Sequence, residues 1–147
     1  MDFRLNKSVK GSIELLARFL IAMIFIISGL SKFQDPEAIN HLMASHGMPF
    51  VSELRVASAV LELVCGIALI LGTYTRYIGL ILFFWMIPAT LIFHSYWTPD
   101  LTAMQMQGAK THFYKNFAIM GGLLSLFING AGLFSLDVWK VRRSAAV

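Results

Sequence analysis

Apolar residues gather into four long runs, at residues 15–30, 56–71, 77–93 and 117–136, with polar stretches between them. Once flanking residues are added, each run approaches the roughly 20 residues a helix needs to cross about 30 Å of hydrocarbon. A helix of a soluble bundle carries a polar face, and the third run has almost none. The pattern therefore predicts an all-α chain, an integral membrane four-helix bundle with spans at about 13–32, 54–72, 76–95 and 115–136. One domain is expected over residues 1–147.

The connections fit antiparallel helices. Residues 73–76 leave room only for a tight turn, whereas residues 34–55 and 96–115 hold most of the loop polarity, with Pro36, Pro49 and Pro99 among them. Asp35-Pro36-Glu37 reads as the start of a short interfacial helix with proline in its first turn. Pro88 falls inside the third run, where it should kink the helix and free a carbonyl for a neighbouring helix to satisfy. The spacings Gly121-x-x-x-Ser125 and Glu62-x-x-x-Gly66 predict close helix approach within the bundle, and they also allow an oligomer.

Composition agrees: 57% of the residues are hydrophobic and 14% charged, about half the charged share of a soluble domain. The net charge of +4 does not point to nucleic acid, because the basic residues form no stripe with interleaved aromatics. They flank the apolar runs instead. With the N-terminus inside, Arg4, Lys7, Lys10, Arg76, Lys140, Arg142 and Arg143 are cytoplasmic, against Lys32, Arg55, Lys110 and Lys115 outside. The positive-inside rule then predicts N-in, C-in. Tyr74, Tyr77, Tyr96, Trp97, Tyr114 and Trp139 fall near span ends, as an aromatic belt does. The first run is too long for a leader's apolar core and ends in Ser-Gly-Leu-Ser-Lys, so it reads as a span.

Among groups that could carry chemistry, Glu62 is the most informative, since a carboxylate near the middle of a span must be paired or neutralised. Its expected partner is Arg18 on the first span, at roughly 5–10 Å in depth from the helical rise. Either a structural ion pair or a proton-handling site would satisfy these positions. Lys32, His94, Lys115 and Asn116 fall at outer span ends and are expected to line an outward polar pocket. His41, His46 and His112 share that side, but no two histidines have the i, i+3 or i, i+4 spacing of metal ligands on one helix face, so no metal site is expected. Cys65 is the only cysteine and reads as a small buried hydrophobe.

The stretches Arg18…Phe25-x-x-Ser28-Gly29-Leu30-Ser31-Lys32, Glu62-Leu63-x-x-Gly66-x-x-Leu69-x-Leu71-Gly72 and Thr75-Arg76 resemble the DoxX family of membrane proteins. So do Ala89-Thr90-x-x-Phe93-His94, Lys115-Asn116-x-x-x-x-Gly121-Gly122-Leu123-Leu124 and Gly132-x-x-Ser135-Leu136-Asp137. The order and spacing of these motifs carry the resemblance from Arg18 to Asp137, and short bacterial inner-membrane DoxX proteins are the nearest type. The resemblance implies a four-helix membrane domain in the bacterial inner (cytoplasmic) membrane. It also implies a choice between an accessory subunit of a redox or thiol-stress complex and a DoxD-like oxidoreductase passing electrons to quinone. The first reading needs no cofactor; quinone enters only with the second. The expected partners are the bilayer and membrane or periplasmic redox proteins. A carrier is disfavoured, since one four-helix unit lacks the inverted repeats common in transporters.

Overall fold

A computed structural model describes residues 6–99 and 101–144; Arg4, counted above with the inner charges, lies outside them. The described residues form six helices and no strand: α1 (Lys7–Gln34), α2 (Pro36–Ser45), α3 (Val51–Leu71), α4 (Thr75–Phe93), α5 (Ala103–Asn129) and α6 (Leu136–Ser144). Three of them, α1, α3 and α4, are long and apolar enough to cross a membrane. Only 22–33% of their most apolar stretches is buried within the protein, and Leu16, Ile27, Val64, Ile67 and Phe84 face outward. Faces so apolar suit lipid, not water.

Helix starts and stops follow from particular residues. Asp35 caps α2 by accepting from the Ala38 N–H at 3.1 Å, with Pro36 in the first turn, as the interfacial-helix reading expects. α3 ends in a Schellman turn: Thr73 N–H donates to Ala68 O and Gly72 N–H to Leu69 O, with Gly72 left-handed at φ 65°. α4 runs unbroken through Pro88.

The helix that carries the fourth apolar run differs from that run at both ends. α5 starts at Ala103, twelve residues before position 115, because Thr102 and Gln105 form a reciprocal capping box. It stops at Asn129, short of position 136, where Gly130 and Gly132 take positive φ values of 78° and 77°. The chain then turns into α6, a helix the hydrophobic runs do not announce.

α1 packs along α3, α4 along α5, and the two pairs meet through α3–α4 and α1–α5 contacts. Ala22, Phe25, Cys65, Leu69, Leu82, Met86, Met120, Leu123 and Leu126 form the common core. Gly66 lets α1 and α3 approach: a Cβ there would lie 2.7 Å from Ile26 Cγ1 and 3.3 Å from Ala22 O. The expected close packing at Gly121 is not found, since nothing lies within 4 Å of a Cβ built on it. It borders a groove between α4 and α5 instead.

Candidate functional site

Glu62 is 7% exposed on α3. Its partner is Lys32 of α1, whose Nζ lies 2.6 Å from Oε2, and not Arg18. Lys32 Nζ also donates to Ser28 Oγ at 2.8 Å, and Trp85 Nε1 of α4 donates to Glu62 Oε1 at 3.2 Å. The carboxylate is thus held by three helices. The direction of helical side chains explains the exchange of partners. Cα–Cβ bonds tilt toward a helix's own N-terminus, so on antiparallel α1 and α3 Lys32 and Glu62 lean toward each other. Arg18 and Glu62 lean apart.

Arg18 is fully buried and takes a different task. Its Nη1 donates to Leu69 O at 3.3 Å and its Nη2 to Phe134 O. Leu69 is in the last turn of α3, where its carbonyl otherwise accepts only from the Gly72 N–H of the capping turn and the helix end is partially negative, so a guanidinium fits there. Arg18 Nε, also buried, has no hydrogen-bond partner among the described residues. The surrounding knot draws on distant parts of the chain. Asp137 accepts from the N–H groups of Tyr74 (2.8 Å) and Thr75 (3.0 Å) at the start of α4, while its own N–H donates to Gly72 O at 2.9 Å. Glu14 accepts from the Leu133 N–H at 3.1 Å.

The expected outer pocket is divided. Lys32 turns to Glu62, and Asn116 Nδ2 donates to Thr90 Oγ1 at 2.9 Å, joining α5 to α4. His94, just past the end of α4, stacks on His112 at 5.2 Å between ring centroids. Burial pushes its imidazole below the ordinary histidine range, and the nearby His112, Lys115 and His46 push it further the same way. Lys115 therefore neighbours His94, but Lys32 and Asn116 have gone elsewhere. His46 packs on Phe93 at 5.1 Å. Tyr96, Trp97, Phe113 and Tyr114 form an aromatic cluster nearby, and hydrogen bonding with Tyr114 raises the Tyr96 phenol's pKa. No group of three metal-ligating side chains occurs among the described residues.

Trp85, Asp137 and Glu14 were not among the expected site residues. Trp85 had a signal in the sequence, since an indole N–H inside an apolar run needs an acceptor. Asp137 had one too: it stands in the first turn of a helix, but the amides it caps belong to α4, sixty residues away in the chain and invisible to local reasoning.

The DoxX family pattern matches residues 13–95, more than half of the chain. The chain is 33% identical over 123 residues to Inner membrane protein YphA of Escherichia coli (strain K12), covering 84% of this chain and 86% of that protein. It is 30% identical over 124 residues to Inner membrane protein YqjF of the same organism, covering 84% and 88%. A third relative, named "Putative oxidoreductase CatD" in Bacillus subtilis (strain 168), is 34% identical over 145 residues, 97% of this chain and 98% of that one. No solved structure matches significantly. With three helices suited to crossing a bilayer and inner-membrane relatives along most of its length, this multi-pass inner-membrane protein belongs to the DoxX family.

Proposed function

We propose that the chain is an accessory subunit of a membrane redox or thiol-stress assembly, without catalysis of its own. One observation carries this reading: the polar side chains most suited to chemistry are spent joining helices. Lys32, Glu62 and Trp85 join α1, α3 and α4; Arg18 joins α1 to α3 and to the segment before α6; Asn116 joins α5 to α4. Such ties favour one rigid arrangement of helices, which suits a platform for partner proteins. In this reading the helices form a four-helix bundle, α5 is a fourth crossing, and both chain ends are cytoplasmic. Support comes from Lys7 and Arg142, which line one cleft, and from the clustering of Lys10 and Arg76 at that same end. Tagged protein from gently solubilised membranes should co-purify with a stoichiometric partner that holds a redox centre. Recovery of the chain alone, with redox activity of its own, would refute the reading.

A second reading has one observation in its favour. A groove of about 510 Å³ lies between α4 and α5, walled by Phe83, Ile87, Phe117 and Met120, with Thr90 as its polar edge and open space at Gly121. Its volume and apolar walls suit a flat lipophilic ring, so an oxidoreductase passing electrons to quinone would hold the ring there, as the name of the Bacillus relative would suit. Phe83 and Phe117 would flank the ring and exclude water; the quinone itself would supply the electron-accepting chemistry. Organic extraction of purified protein decides between the readings. Quinone retained by the native chain and lost on Gly121→Phe favours the second; quinone-free protein favours the first.

A further inference from the structure

A cavity of about 820 Å³ opens at the end of the molecule where α1 and α4 begin and α5 finishes. Four cations line it, Lys7, Lys10, Arg76 and Arg142, against two acids, Glu14 and Asp137. Both acids are already engaged by backbone amides, Glu14 by Leu133 N–H and Asp137 by Tyr74 and Thr75 N–H. Lys10 also sits 3.7 Å from Glu14 in a half-open pair. Arg76 is held in position: its Nη1 donates to Phe127 O at 3.0 Å, and its Nε lies 3.4 Å from where a Cβ on Gly130 would sit. Thr75 stands in the same wall, fully buried, with a hydroxyl that has no hydrogen-bond partner among the described residues. Much of the remaining wall is apolar, with Leu133, Val138 and Val141, while Asn129 and Tyr77 add polar atoms.

This combination has a specific chemical complement. A phosphate diester carries one negative charge and several acceptor oxygens, which suit guanidinium and ammonium donors. The cleft lies at the N-terminal ends of α1 and α4, two helices long and apolar enough to cross the bilayer, hence at headgroup depth, and exposed side chains further along them, Ile13, Leu16 and Ile81 among them, are apolar. We propose that this cleft binds the headgroup of an anionic phospholipid, with its phosphate among Lys7, Arg76 and Arg142 and its acyl chains leaving along α1 and α4. A basic pocket between helices at a membrane surface is a recognised form of such a site. The proposal requires only that α1 and α4 span the membrane; it does not depend on the accessory role or on which side the cleft faces.

The test is native mass spectrometry of the full chain in neutral detergent, titrated separately with dioleoyl phosphatidylglycerol, dioleoyl phosphatidylcholine and inorganic phosphate. Phosphatidylglycerol should bind most tightly. Each cation removed should weaken it by about fivefold, so Lys7→Gln with Arg142→Gln should lose about 25-fold. Both residues are exposed, and an unchanged thermal unfolding curve will show that the double variant still folds. Lys110→Gln with Lys115→Gln, at the opposite end, should bind as the native chain does. Equal affinity for the two lipids overturns the proposal, as does a double variant that binds normally. Inorganic phosphate binding as tightly as phosphatidylglycerol would assign the cleft to a soluble anion and overturn it too.

Discussion

Removing both charges of the Lys32–Glu62 pair should cost less than the sum of removing each alone. The side chains are 16% and 9% exposed, and the pair is closed at 2.6 Å with Ser28 and Trp85 completing the bonding. Breaking a buried pair by deleting one partner typically costs about 3–5 kcal/mol, because the survivor is left charged in a poor solvent. The residual exposure places Glu62→Gln near the lower end, roughly 3 kcal/mol. Lys32→Met in the Glu62→Gln background removes the stranded ammonium, and a coupling of about 1.5 kcal/mol is expected, within the usual range for residues in contact. Arg18 serves as the control. It bonds to Leu69, two helical turns from Glu62 and about 10 Å along the axis, so Arg18→Gln should combine with Glu62→Gln additively to within about 0.5 kcal/mol. Reversible unfolding in mixed micelles, followed by tryptophan fluorescence, measures both cycles. Additive effects of the Lys32 and Glu62 changes, or strong coupling of Glu62 to Arg18, would refute the reasoning.

Other expected outcomes concern the knot and the helix ends. Gly72→Ala places a Cβ against the Arg18 guanidinium and forces alanine to a φ of 65°, so a loss of roughly 3 kcal/mol should appear in the same unfolding assay. Asp137→Ala strips two amide caps from α4 and should cost about 1–2 kcal/mol, with Asn retaining part of the effect; thermal unfolding of the three proteins side by side checks this. Thr102→Ala should cost about 1 kcal/mol and raise amide exchange in the first turn of α5 alone. The lowered pKa of His94 means that the unfolded chain, titrating near 6.5, takes up a proton before the folded one does. Stability from this source is complete above 6.5 and lost as pH falls through the lower folded value. Unfolding midpoints should therefore drop on acidification, and His94→Asn should flatten the decline.

The helical class, the lipid setting, the turn at residues 73–76 and the Asp35-Pro36 start of α2 were all legible in the sequence, because each depends on local composition or spacing. The partner of Glu62 was misread for a reason the sequence also contained. Depth pointed to Arg18 and left Lys32 with the outer pocket, and that estimate omitted the opposite lean of side chains on antiparallel helices, which brings Lys32 to Glu62. The early start of α5 was likewise written in Thr102-x-x-Gln105, but the polar residues after it masked the helix in a reading guided by apolar runs. The meeting of Arg18, Gly72, Phe134 and Asp137 had no local signal at all. It follows from α5 returning the chain to the end where α1 began.

That return is the claim on which the cytoplasmic ends and the four-helix reading depend, and cysteine accessibility tests it directly. Cys65 is buried and the only cysteine, so a Cys65→Ala background accepts single cysteines at Ser8, Thr98 and Ser144. In intact cells, a membrane-impermeant maleimide should label Thr98→Cys and spare both Ser8→Cys and Ser144→Cys until the membrane is permeabilised. Labelling of Ser144→Cys on intact cells, with Ser8→Cys still protected, would contradict the account.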